Sequence, residues 1–181
     1  MTPSSAGFIF APASHAIASL DGDVQVPPFR AASGQFRRFL AEGVANGFFD
    51  TRIALLNPTA EPTGVRLTFQ TSAGHTAVHE VAMAARSRVT IDPRTAGAGE
   101  ADFSTVIEST QPLVVDRTVR WGPGGYGSHA ESSVASPHTT WYFAEGATTG
   151  SFHLFYLLQN PGSQAAAVEI RYLRPAPPRR F

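Results

Sequence analysis

The sequence predicts an all-β protein, an antiparallel sandwich or barrel, and three observations carry that prediction. Apolar residues alternate with polar ones at a period of two in several short runs. Turn-forming dipeptides separate those runs at regular intervals. A long stretch of the chain also recurs at one fixed offset. Alternation at period two marks half-buried strands, and many short strands with regular turns mark antiparallel architecture.

The chain has 181 residues, enough for one domain or one domain and a piece. The recurrence divides it. Residues 40–58 read LAEGVANGFFDTRIALLNP and residues 143–161 read FAEGATTGSFHLFYLLQNP. Glu42 and Glu145 lie 103 positions apart, as do Gly43 and Gly146, Phe49 and Phe152, Leu55 and Leu158, and Asn57-Pro58 and Asn160-Pro161. The register continues without a gap, so that Val65, Leu67 and Phe69 fall on Val168, Ile170 and Tyr172. Fixed-period self-similarity is the signature of repeated structural units. A complete unit is expected over 37–139 and the opening of a second over 140–181. Residues 1–36 stand outside the repeat and read as a linker or the remnant of a preceding module. Ser14-His15-Ala16 echoes Ser128-His129-Ala130.

Within the first unit the elements follow in order. Val65, Leu67 and Phe69 alternate with Arg66, Thr68 and Gln70, which predicts a strand. Arg88–Ile91, Ser104–Ser109 and Leu113–Trp121 are β-branched or alternating runs. Asn57-Pro58, Ser72-Ala73-Gly74, Asp92-Pro93, Gln111-Pro112 and Gly122-Pro123-Gly124-Gly125 punctuate them. Asn or Asp ahead of Pro starts a turn, because its side chain bonds the backbone ahead and Pro presets φ. Ala77–Arg88 stands apart. Its good helix formers and the stripe Val78, Val81, Ala82 and Ala85 predict a short helix, with strand, turn, strand as the alternative. The tail Arg174–Phe181 is Pro-rich and reads as an ending.

Composition excludes several classes. Fourteen basic residues, all Arg, balance fourteen acidic ones, so the basic footprint of a nucleic-acid binder is missing. Charged residues make up 15%, below the roughly 25% typical of soluble domains. There is no Cys, hence no disulfide, thiolate metal site or Cys nucleophile. No apolar run approaches the ~18 residues of a membrane helix, so membrane insertion is not expected. Gly7–Phe10 lacks a preceding basic stretch and is followed by Pro12, unlike a secretory leader.

The ordered motifs resemble tandem β-sandwich modules of roughly 100 residues found in secreted or surface-attached bacterial proteins. The motifs are Trp141-Tyr142-Phe143-Ala144-Glu145-Gly146, Leu157-Leu158-Gln159-Asn160-Pro161, Ser87-Arg88-Val89-Thr90, Val114-Val115-Asp116-Arg117, and the Gly-rich loop Gly124–His129. The likeness covers residues 37–173. It departs at the first unit's opening, where Phe36-Arg37-Arg38-Phe39 replaces the aromatic pair. It implies an immunoglobulin-like antiparallel sandwich and an extracellular or cell-surface setting. It implies no activity. It also turns the reading of Ala77–Arg88 toward strands.

Candidate chemistry is sparse. Gly122–Gly127 lacks the Lys-Ser/Thr and following helix that a phosphate cradle requires and reads as a sandwich-end loop. Asp21-Gly22-Asp23 has too few acidic neighbours for calcium's six to eight oxygens. His75 and His79 would share a strand face, but zinc needs two more ligands. Glu42 and Glu145 occupy one motif position in separate copies, which separates them from a facing catalytic pair. Each is expected to accept backbone or Arg hydrogen bonds at a strand end. Asp116 and Arg117 point to opposite faces, and Arg117 is expected to be partly buried against a carboxylate. No Gly-x-Ser-x-Gly elbow occurs. No catalytic residue, metal ligand or cofactor is assigned. Trp121, Tyr126, Trp141 and Tyr142 are the candidate ligand-binding residues, since exposed aromatic rings suit sugar faces. Otherwise they fill the sandwich and the junction between copies.

The sequence therefore predicts a non-catalytic spacer or adhesion-type module, with a carbohydrate-binding module as the alternative. A hydrolase would need a concave pocket of converging polar groups. The expected partners are neighbouring repeats, with polysaccharide or a surface protein as further partners. The apolar run Phe152–Leu158 would leave strand edges open. Self-association through the second unit, or its pairing with residues 1–36, follows from that.

Overall fold

The structure, a computed structural model, describes residues 1–3, 8–11, 14–19, 21–33, 36–150 and 153–173. Ten strands alternate through the first three-quarters of the chain. They are β1 (Phe8–Ala11), β2 (Arg30–Ser33), β3 (Phe36–Leu40), β4 (Phe49–Leu56), β5 (Thr63–Thr71), β6 (Thr76–Met83), β7 (Arg88–Ile91), β8 (Phe103–Ser109), β9 (Val114–Trp121) and β10 (Gly127–Ser132).

Eight of them form two four-stranded antiparallel sheets, ordered β10-β9-β4-β7 and β3-β8-β5-β6. The molecule is thus an all-β sandwich. β4 and β5 follow each other in sequence but lie in different sheets. The alternation explains the split. Thr51, Ile53 and Leu55 of β4 and Val65, Leu67 and Phe69 of β5 are all buried, so each strand turns one apolar face into the space between the sheets. A sheet with one buried face alternates in this way, and a slip of one residue would invert it. Phe103 meets Phe69 edge-on, with centroids 5.5 Å apart, and Ile107, Leu113 and Val115 complete the core. Val89 packs against it, partly buried.

Ala77–Arg88 is not a helix. β6 pairs with β5, from Thr63 opposite Met83 to Gln70 opposite Thr76, and a turn leads into β7. Helix propensity differs by only tenths of a kcal/mol per residue among these side chains, and the ladder with β5 together with burial of Met83 overrides it. Arg86, at φ 51°, is the described non-glycine residue with positive φ; it closes that turn.

Among the described residues, 1–33 and 140–173 add no strand to the two four-stranded sheets. β1 and β2 pair with each other, so the opening segment forms its own ribbon, a pairing that no motif in residues 1–36 announced. Residues 140–150 and 153–173 contain no strand. Among the described residues the expected opening stretches of a second unit carry no ladder. A strand exists only through hydrogen bonds to a neighbour, and among the described residues none pairs with these stretches.

The Asn-Pro corners nevertheless match. Asn57 donates to Glu61 O at 2.8 Å and accepts from Thr59 N at 3.0 Å. Asn160 donates to Gln164 O at 2.7 Å and accepts from Gly162 N at 3.1 Å. The same Asx turn, with the same offsets, stands at both positions.

Candidate functional site

The Ala-Glu-Gly motif acquires a physical meaning around Arg117. This side chain is 1% exposed. It points inward from β9, while Asp116 on the opposite face accepts from Ser132 Oγ at 2.7 Å. Arg117 Nη1 donates to Glu42 O at 2.6 Å. Nη2 lies 3.0 Å from Glu42 Oε2 and 2.9 Å from Glu131 Oε2. His129 Nδ1 is 3.3 Å from the same nitrogen. A buried guanidinium requires such pairing, since an isolated buried charge is strongly unfavourable. The next motif residue, Gly43, lies flat against the Phe103 ring. A Cβ there would stand 2.2 Å from a ring carbon, and Phe103 N donates to Gly43 O at 2.8 Å. Glutamate anchors β9, and glycine admits Phe103 of β8.

Glu42 accepts from an arginine just beyond the end of β3, as expected, and Arg117 is buried against a carboxylate; Glu145, for which the same was expected, has no such bond among the described residues. Glu131 and His129 were not singled out from the sequence. A signal existed, because Arg117 and Glu131 lie seven residues either side of Gly124. A hairpin centred there sets them opposite each other, as the β9–β10 register does.

A cleft of about 240 Å³ lies beside this cluster. Glu42, His129 and Glu131 line one wall. Phe143, Glu145, Leu154 and Tyr156 line the other. Glu145 thus lies near the cluster but makes no ion pair among the described residues, unlike Glu42. Among the described residues no three His, Asp or Glu side chains converge to hold a metal ion. His75 sits in the turn before β6, so it shares no strand with His79.

The four candidate aromatics do not form one surface row. Trp121 ends β9, half-buried. Its ring lies over Gly127, where a Cβ would be 2.2 Å away, and faces Phe49 at 6.3 Å. It lines a second cleft, of about 370 Å³, with Phe48, Phe49, Asn46 and the arginines Arg52, Arg94 and Arg120. Arg52 is committed to Asp50 and Asp92 at 2.9 and 2.8 Å. Arg94 Nη2 donates to Asn46 O at 2.7 Å. Asn46 Oδ1 accepts from the backbone N–H groups of Phe48 and Phe49, both at 2.8 Å, which fixes the aromatic lip. Tyr126 is 92% exposed in the adjoining loop, where Pro123–Gly125 forms a short 3-10 turn. Trp141 and Tyr142 lie on the segment after β10. Trp141 Nε1 donates to His138 O at 3.1 Å, and Tyr142 is 92% exposed. Neither lines a cleft described here.

No protein-family profile matches the chain, and no curated protein does. Among solved structures, the crystal structure of Thermotoga maritima 1070 is similar, with a TM-score of 0.51 and 20% identity over 57% of this chain and 96% of that one. The Anabaena sensory rhodopsin transducer gives a TM-score of 0.40 and 21% identity over 46% of this chain and 95% of that one. The first likeness shows the fold alone: a β-sandwich that in the other protein makes up nearly a whole chain. No helix among the described residues is long and apolar enough to cross a membrane.

Proposed function

We propose that the chain is a non-catalytic structural module, of spacer or adhesion type, from a bacterial extracellular or cell-surface protein built of tandem repeats. The observation that carries the reading is the recurrence at 103 residues of motifs whose roles are architectural. The Asn-Pro corner is one turn in both places, and Glu42 and Gly43 serve the packing of β9 and β8. Repeated units of this kind keep the residues that hold the unit together, while loops are free to vary. The partners of this reading are neighbouring repeats and, through the loops, a surface protein or polysaccharide. Protease shaving of intact cells of the source bacterium tests the setting. Release of peptides from this chain is expected, and their retention inside would count against it.

A second reading, a carbohydrate-binding module, is favoured by the cleft at Trp121, where Phe48 and Phe49 give an apolar lip beside arginine donors. A glycan-array screen separates the two. The spacer reading expects no binding that depends on the Trp121 cleft. Binding lost in a folded Trp121→Ala variant would favour the second reading and place the ligand in this cleft. Binding lost instead in Trp141→Ala would place it on the segment after β10.

A further inference from the structure

The Gly-rich loop after β9 is shaped around two side chains. Arg120 and Trp121 are the last residues of β9, and Gly122-Pro123-Gly124-Gly125-Tyr126-Gly127 follows at once. A Cβ at Gly127 would stand 2.2 Å from the Trp121 indole, and a Cβ at Gly125, whose φ is +71°, would stand 2.5 Å from Nη2 of Arg120. Glycine at these two positions leaves room for one indole and one guanidinium, and at 125 it also meets a backbone conformation that other residues rarely adopt. Gly122 N donates to Phe48 O at 3.2 Å, which ties the loop to the aromatic lip. Arg120 and Trp121, neighbours in sequence, line the same cleft.

The charges around that cleft are unequally committed. Arg52 is shared between Asp50 and Asp92, and Arg94 gives Nη2 to the carbonyls of Asn46 and Phe49. Arg120 differs. Asp50 stands directly opposite it across the β4–β9 ladder. Yet Asp50 Oδ1 is taken by Arg52, and Arg120 has no hydrogen bond or ion pair among the described residues. Three arginines meet two aspartates here, which leaves one positive charge in excess. That balance suits a single carboxylate better than a phosphate group, which carries about −1.5 to −2 at neutral pH. The guanidinium fork also matches a carboxylate with two parallel hydrogen bonds. Beside it Trp121 is half-buried, and Phe48, 55% exposed, meets Phe49 edge-on at 4.9 Å. Aromatic faces of this kind suit the apolar face of a sugar ring. The volume of about 370 Å³ falls at the small end of ligand sites.

We propose that this cleft takes a uronate residue of an acidic polysaccharide, with its ring against Trp121 and Phe48 and its carboxylate on Arg120. The proposal rests on the carbohydrate-binding reading of the Trp121 cleft. It adds the charge of the ligand and the residue that selects it.

Isothermal titration calorimetry on the full chain in calcium-free buffer tests it. The probes are oligogalacturonate, oligomannuronate and hyaluronan oligosaccharides, their carboxyl-reduced counterparts, and a sulfated galactan oligosaccharide. At least one oligouronate is expected to bind, about tenfold or more tighter than its reduced form, since a hydrogen bond to a charged group contributes at that level. Arg120→Gln should remove this advantage and leave the reduced form's affinity unchanged. Trp121→Ala should weaken both, and Phe48→Ala, at an exposed position, serves if that variant fails to fold. Arg88, opposite Leu56 at the far end of β4, is the control for overall charge: Arg88→Gln should leave binding unchanged. A reduced oligosaccharide that binds as tightly as the uronate overturns the proposal and leaves the carbohydrate reading in place. So does uronate binding indifferent to Arg120→Gln, or a preference for the sulfate ester. Binding of no oligosaccharide at all overturns both. Arg120 is exposed, so the unfolding midpoint of Arg120→Gln should match the parent chain.

Discussion

Residues 49–71 and residues 153–173 carry one pattern of apolar alternation around one Asn-Pro corner, but only the first is woven into sheets. The corner survives in both because its hydrogen bonds run between Asn and residues two and four further on. Side-chain-to-backbone bonds of this range need no tertiary partner. Around it the two regions diverge. Asn57 also donates to Ala84 O at 2.9 Å and is fully buried, whereas Asn160 is exposed. β4 has ladder neighbours on both sides, and residues 153–160 have none among the described residues. The turn is a local property of the sequence, while the strand depends on its partners. Glu42 and Glu145 repeat the lesson, since Glu42 has its arginine and Glu145 lines an open cleft.

Paired substitutions at equivalent positions turn this contrast into numbers, each read as the module's denaturant unfolding midpoint. The largest difference is expected for Phe69→Ala against Tyr172→Ala. Deleting a fully buried Phe costs about 3–5 kcal/mol, whereas the second change should leave the module within about 0.5 kcal/mol. Equal effects would mean that the segment is part of the same core. Arg117→Ala comes next, at about 3 kcal/mol, because Glu42 and its carbonyl lose a buried donor. Arg117→Met should recover part of that loss by filling the space with apolar atoms. Asn57→Ala is expected to cost about 2 kcal/mol through the loss of three part-buried hydrogen bonds to the backbone, which leaves the Thr59 N–H without an acceptor, and Asn160→Ala none. Gly43→Ala should cost about 1–3 kcal/mol by forcing the Phe103 ring aside. At Gly146 the atom met within 3 Å is the end of the flexible Leu154 side chain, and there the change should be tolerated. The smallest effect is Glu42→Gln, about 1 kcal/mol, since Glu131 and the Glu42 carbonyl still hold Arg117. If Glu42→Gln and Glu145→Gln proved indistinguishable, the motif glutamate would have no structural role.

Much of the sandwich was legible in the chain. The alternation of Val65, Leu67 and Phe69 and the Asn-Pro and Asp-Pro corners are local signals, and the strands over 63–71, 88–91, 103–109 and 114–121 fall where they pointed. Ala77–Arg88 misled because its residues suit a helix in isolation, and what decides is the β5 edge lying alongside. The site was half legible. Burial of Arg117 followed from the face it shares with Val115 and Val119. Its second carboxylate, Glu131, depends on the register of a hairpin whose loop carries three glycines, and no alternation runs through that loop. The separation of Trp121 from Trp141 and Tyr142 depends on where the chain goes after β10, which periodicity does not specify. The β1–β2 ribbon spans residues 8–33, and only register across that gap could have announced it.

The placement of β4 and β5 in different layers also sets a clock. Neither can close a hairpin with the other, so β4 has only the short β7 to pair with until β9, whose last residue leaves the ribosome about 65 residues later. At ordinary rates of synthesis that is about 3–13 s, during which the sheet of β4 consists of β4 and the four-residue β7 alone. In a chain whose sequence recurs 103 residues on, the second stretch emerges only after the first has met β9. A spacing longer than that wait keeps like strands from competing for one partner during synthesis.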